Sequence, residues 1–142
     1  MAWSHVLLVL VALLIGGGGL VADFIVPATA RQHLKNPHWP PHAKFHNGQS
    51  ISYGLLNGAL IVYLAVFADP ENSLSFPLAA ALTLVYPLSM LGARLFPGTA
   101  WHDPEFGENH PQVAGLDPNL FAGLLGLVLT LLAVLLYVLE RR

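Results

Sequence analysis

Residues 5–26 read HVLLVLVALLIGGGGLVADFIV, and 17 uncharged residues pass between Val6 and Ala22 before Asp23 interrupts them. At about 1.5 Å of rise per residue that run covers roughly 25 Å, most of a hydrocarbon core about 30 Å thick. The pattern recurs three times. Residues 51–68 and 76–93 each hold 18 residues without a charge, and residues 120–139 hold 20. Runs of this length and apolarity predict membrane-crossing helices. The expected fold is therefore all-α, a four-transmembrane-helix bundle with helices at about 5–26, 41–68, 76–96 and 118–140. One integral membrane domain, 1–142, accounts for the chain.

Composition agrees. The chain has 142 residues, 55% hydrophobic and 10% charged, with a mean hydropathy of +0.61, whereas a soluble domain carries roughly 25% charged residues. Disorder is excluded because a disordered chain is poor in apolar residues and rich in net charge, and here the formal net charge is -2. Six Lys and Arg against eight Asp and Glu, scattered along the chain, build no basic stripe for nucleic acid. No cysteine is present, so neither a disulfide nor a thiolate site exists. Seven histidines are then the main chemical resource.

The span ends carry punctuation. Ser75 before Phe76-Pro77, and Asp117 before Pro118, each place a capping side chain ahead of a proline tolerated in a first helical turn. Trp3, Trp39, Trp101 and Tyr137 fall near span ends, as interfacial anchors do. Ala28-Thr29-Ala30 has the form of a signal-peptide cleavage site, but no Lys or Arg precedes the apolar run and the run is longer than such segments, which favours a retained span. Four spans put both termini and the turn at 69–75 on one membrane face, and the long loops 27–48 and 95–117 on the other. Arg31, Lys35, Lys44 and Arg94 on the loop face, against Arg141 and Arg142 on the terminal face, point the long loops to the cytoplasm and leave orientation open.

Polar chemistry gathers on the loop face. Pro40-Pro41 predicts a helix start that continues into the second span. At 100° per residue, His42, His46, Gln49, Ser50, Tyr53 and Asn57 then fall within a 100° arc, a polar stripe expected to face the bundle interior or a wet cavity. Asn47, Gln49, Tyr53 and Asn57 are the candidate ligand-binding residues. His42 and His46, at i and i+4, reach one metal ion or pass a proton; the alternative is a solvated collar in the headgroup zone. They lack the HExxH pattern of zinc proteases. The second long loop adds His102, Asp103, Glu105 and His110. With His42 and His46 these complete a candidate site for a first-row transition metal such as Fe, Zn or Mn, against the alternative of a turn-rich polar cap. Asp23, the one acid inside an apolar run, expects a partner among His33, Arg31, His46 and Arg94. The Gly16–Gly19 run admits a close neighbour, and Pro87 kinks the third span, opening a pocket or fitting the bundle's curvature.

Asn36-Pro37-His38-Trp39-Pro40-Pro41-His42-Ala43-Lys44-Phe45-His46-Asn47-Gly48-Gln49, with Pro97-Gly98-Thr99-Ala100-Trp101 and Asp103-Pro104-Glu105-Phe106-Gly107, resembles a family of small four-helix membrane proteins of unknown function from fungi and bacteria. The resemblance implies the architecture and no mechanism. In architecture alone the chain is also distantly similar to the sterol-isomerase and sigma-2-receptor group. The leading expectation is an integral membrane enzyme acting on a lipophilic small molecule, with Asp23, His42, His46, His102 and Asp103 as a metal site or acid/base cluster. The alternative is a non-enzymatic ligand-binding or accessory subunit, as a homo-oligomer or with a membrane-complex partner, packing through its Gly-rich first and Leu-rich fourth spans. A small carrier is a third reading, opposed by Asn57 being the one midspan polar amide on a path without charge.

Overall fold

The computed structural model describes residues 2–69, 71–107 and 112–142. Helix α1 (Trp3–Leu20) widens into a π-helical turn at Val21–Ile25 and is followed by the single turn α2 (Pro27–Ala30). Helix α3 (Pro41–Val62) likewise ends in a π turn, Tyr63–Phe67; α4 (Ser75–Thr83) and α5 (Val85–Ala93) follow; and α6 (Pro118–Glu140) closes the chain. The stretches Trp3–Ile25, Pro41–Phe67, Ser75–Ala93 and Pro118–Glu140 are long and apolar enough to cross a membrane, the architecture of a multi-pass membrane protein. The third span ends at Ala93, three residues short of expectation.

The two expected caps behave differently, and prolines explain why. Asp117 accepts a hydrogen bond from the Asn119 amide at 2.8 Å. Ser75 caps nothing: α4 starts at Ser75 itself, and its hydroxyl has no partner. A cap binds the amide two or three residues on. Pro77 has none, and the Leu78 amide is taken by the Leu74 carbonyl at 3.0 Å.

Helices α1 and α3 make the tightest contact. A methyl built on Gly58 would lie 2.9 Å from the Ala12 carbonyl oxygen and 3.1 Å from the Gly16 Cα, and one on Gly16 would lie 3.0 Å from the Gly58 Cα. Ala12/Gly16 and Gly54/Gly58 are thus two small-xxx-small pairs whose backbones touch, the arrangement that lets membrane helices approach closely. The run of glycines is used on one side only, since Gly17 and Gly18 face open space.

Pro87 lacks the amide that the Thr83 carbonyl would accept from, and its ring clashes there; the third span breaks at Leu84 into α4 and α5. Helix α4 stays in the bundle, packed on α1, α3 and α6, whereas α5 packs mainly on α6. Polar side chains buried near the break are satisfied, as an apolar surrounding demands. Asn57 donates to the Leu82 carbonyl at 3.2 Å. Thr83 and Thr130 share a 2.8 Å hydroxyl contact and reach the Ala80 and Gly126 carbonyls. Thr130 therefore marks the face of α6 turned into the bundle.

The two ends of the bundle match the expected topology. At one, the Ser4 hydroxyl donates to Glu140 at 2.5 Å, joining the terminal segments. At the other, the buried Asn36 donates to Glu105 at 3.0 Å, joining the two long loops.

Gly58→Ala is expected to destabilise the protein by about 1–3 kcal/mol, because the new methyl meets backbone that cannot give way. Gly17→Ala, in open space, is expected to be neutral or stabilising by up to about 1 kcal/mol through helix propensity. Thermal unfolding of the detergent-solubilised variants checks both; equal midpoints would remove the α1/α3 contact from its place in the fold.

Candidate functional site

Between α5 and the α1/α3 pair, at the long-loop end, a cleft of about 600 Å³ opens. Asp23, His33 and Asn47 form one wall, Gln49, Ser50 and Tyr53 continue it along α3, and Tyr86 and Ser89 come from α5, with Arg94 just past its end. Trp101 and Asn119 complete the rim.

Asp23 lies in the π turn Val21–Ile25, a local form that often accompanies functional sites. The turn has a sequence cause. The Val26 amide donates to the Val21 carbonyl at 2.8 Å, five residues back, and Pro27 has no amide to offer Ala22. The Thr29 hydroxyl fills the vacancy, donating to the Ala22 carbonyl at 2.5 Å. Helix α2 then brings His33 back over Asp23.

Three side chains meet there. Asn47 Nδ2 donates to Asp23 Oδ2 at 2.7 Å, and His33 Nδ1 lies 3.4 Å from Asp23 Oδ1 and 2.9 Å from the Thr29 carbonyl. Both neighbours of Nδ1 accept only, so Nδ1 carries a hydrogen, and in the neutral tautomer the lone pair is on Nε2. Asn47 Oδ1 is buried with no hydrogen-bond partner. The site thus brings together a carboxylate, an imidazole and a buried, unpartnered amide oxygen.

The expected site residues divide among several places. Asp23, Asn47, Gln49 and Tyr53 line the cleft, whereas Asn57 is buried below it and ties α3 to α4. The α3 stripe does not face the bundle interior: its packed face is Ile51, Gly54, Gly58 and Ile61, with Asn57 at the margin. That face is centred about 100° round the helix from the His42 to Tyr53 line. Gln49, Ser50 and Tyr53 consequently border the cleft, and His42 and His46 stand exposed beyond it.

His42 and His46 contact each other, Nε2 to Nε2, at 3.1 Å. His102, Asp103 and Glu105 do not join them. His102 approaches Asp117 at 3.9 Å, Asp103 accepts from the Trp39 indole at 3.1 Å, and Glu105 accepts from Asn36 and contacts His38, each at 3.0 Å. Among the described residues no three His, Asp or Glu side chains are grouped to hold an ion, so His102, Asp103 and Glu105 are not brought to the His42–His46 pair; His110 lies outside the described residues. The two acids are committed across the loops: Asn36 accepts from the His38 amide at 2.8 Å in an Asn-Pro turn and donates to Glu105, while Trp39 donates to Asp103.

Sequence reasoning reached His33 and Arg94 only as two of several partners for Asp23, and it missed Tyr86 in the cleft. Trp101, read as an anchor, also forms part of the rim. Its position follows from Gly98, whose φ of +80° turns the chain back. Arg94 donates to the Thr99 carbonyl and lies 5.7 Å from the Trp101 ring. Trp39 packs edge-on against His33 at 5.8 Å, so the bracket between the loops also supports the Asp23–His33 pair.

Hydrogen bonds from Asn36 and then His38 hold the Glu105 carboxyl below its ordinary value of 4.5. A lowered pKa means the charged form is preferred in the folded protein. The bracket is therefore complete above about pH 4.5 and weakens as pH falls through the lowered value. Glu105→Gln is expected to speed amide hydrogen exchange in residues 36–39 at neutral pH; unchanged exchange would show that the charge does not hold the loops.

No curated protein and no solved structure matches the chain. Residues 7–142 match a family of unknown function, DUF6640, and the chain belongs to that family.

Proposed function

We propose that the protein binds an amphipathic, lipophilic small molecule in the loop-end cleft and acts on its polar end through Asp23 and His33. The observation that carries this reading is the Asp23, His33 and Asn47 cluster beside a cleft bordered by membrane helices. A molecule whose tail lies among lipid chains would reach this wall with its polar end first. A hydroxyl or amine on it would meet the His33 ring and the Asp23 carboxylate, and a small shift of the Asn47 side chain would bring its unpartnered Oδ1 within reach as an acceptor.

The proposed chemistry is proton transfer. The Nδ1–H donated to the Thr29 carbonyl at 2.9 Å fixes the tautomer, and the Asp23 carboxylate 3.4 Å away stabilises the imidazolium formed when Nε2 takes a proton. His33 is the base in this scheme and Asp23 its positioning residue. The roles first expected for His42, His46, His102 and Asp103 pass to this pair. In the accessory reading, Val128, Leu131 and Leu135, exposed on α6, would be covered by a partner helix instead of lipid, and a second protein would co-purify at fixed stoichiometry.

The test is mass spectrometry of lipids extracted from protein purified in mild detergent. Wild type is expected to carry one enriched lipophilic compound, and Asp23→Ala to lose about 10-fold or more of it. His33→Ala is expected to retain the compound while product formation from it stops. Tyr53→Ala, which leaves the polar cluster intact, is expected to weaken retention less. An extract from wild type indistinguishable from that of Asp23→Ala would overturn the proposal.

A further inference from the structure

The His42–His46 pair is outside the cleft and unused by the reading above. Helix α3 with its π turn, Pro41–Phe67, has 27 residues, about 40 Å at 1.5 Å per residue against a core of about 30 Å. Its first two turns therefore stand in the headgroup zone, where His42 and His46 are exposed.

Three features of the pair are those of a chelate. The first is separation. Two ligands each 2.0–2.1 Å from one ion lie about 2.9 Å apart at a right angle and about 3.35 Å apart at the tetrahedral angle. The Nε2 atoms are 3.1 Å apart. The second is orientation. His46 Nδ1 contacts Gln49 Oε1 at 3.2 Å, an acceptor, so that nitrogen carries the hydrogen and Nε2 keeps its lone pair. Metal-binding imidazoles are held in this way by an outer partner. The third is rigidity, since both side chains rise from one helix at i and i+4, and the His42 ring stacks on Phe45, nearly parallel at 6.2 Å.

We infer that His42 and His46 form a two-point site for a divalent cation of the kind that favours imidazole, Zn²⁺ or Cu²⁺. In the free protein one Nε2 carries a hydrogen donated to the other; His46 is fixed as acceptor, so the donor is His42. Binding moves that proton to His42 Nδ1 or to water, and the ion takes its place. Among the described residues no third His, Asp or Glu side chain joins the pair. The remaining positions face water and the headgroup zone, which suits an exchangeable ion with an oxygen ligand from solvent or lipid phosphate.

Isothermal titration of ZnCl₂, and separately of CuCl₂ with glycine as competitor, into protein carrying no polyhistidine tag provides the test. Nanodiscs of phosphatidylcholine and detergent micelles are used in parallel. One ion per chain is expected. His46→Ala and His42→Ala should each weaken binding at least about 10-fold, Gln49→Ala about 10-fold through loss of the outer partner, and His38→Ala not at all. Tighter binding in nanodiscs than in micelles would assign an open position to lipid phosphate, and equal binding would assign it to water. Absence of binding in wild type, or the same affinity in His46→Ala, would overturn the site. Lipid retention in His46→Ala is expected to stay at the wild-type level, so loss of this site and failure of the cleft reading are separable.

Discussion

The approach of α1 to α3 sets the geometry of the rest of the molecule. Where Gly16 meets Gly54 and Gly58, two backbones touch without side chains between them, so the helices run together at a separation that larger residues forbid. They run antiparallel and in step: Gly16 lies against Gly54, Gly19 against Ile51, and Asp23 against Asn47. The 2.7 Å bond between Asp23 and Asn47 is thus a consequence of glycine packing about two turns away. Dispersion and close packing drive such contacts in lipid, where apolar burial offers little.

Proline supplies the complementary effect of opening space. Pro87 breaks the third span at Leu84, and only its first half stays packed on α1 and α3. The second half leans on α6 and leaves a gap, which becomes the cleft. Pro27 works at smaller scale by withholding an amide from Ala22, and Thr29 repairs the loss. One proline makes room for a ligand; the other helps shape the turn that presents Asp23 to it.

Loop chemistry holds this arrangement from above. Asn36, Trp39, Asp103 and Glu105 bond the two long loops to each other, and Trp39 reaches the His33 ring. Two acids that read in sequence as reactive groups are, in three dimensions, acceptors for neighbouring donors. The distinction matters chemically at Glu105, where a carboxylate held by both Asn36 and His38 is a poor base and a good clamp.

Much of the fold was legible in the residues. Uncharged runs of 17 to 20 residues fix the spans, since only a helix satisfies its own backbone in lipid. An even number of spans places the long loops together, and Asp117-Pro118 marks a helix start. Asp23 also stood out, as a lone acid in an apolar run. Tertiary structure decided which face of α3 is buried. Periodicity aligned His42 through Asn57 as one polar stripe, but glycines carry no hydropathy signal and their value lies in a neighbour's backbone. The packed face therefore turned to Gly54 and Gly58, leaving the stripe at the cleft's edge. The partners of Asp103 and Glu105 were likewise beyond sequence, because both depend on where the other long loop lies. Helical geometry is local and written in spacing, whereas the meeting of two loops depends on contacts between residues nearly seventy positions apart.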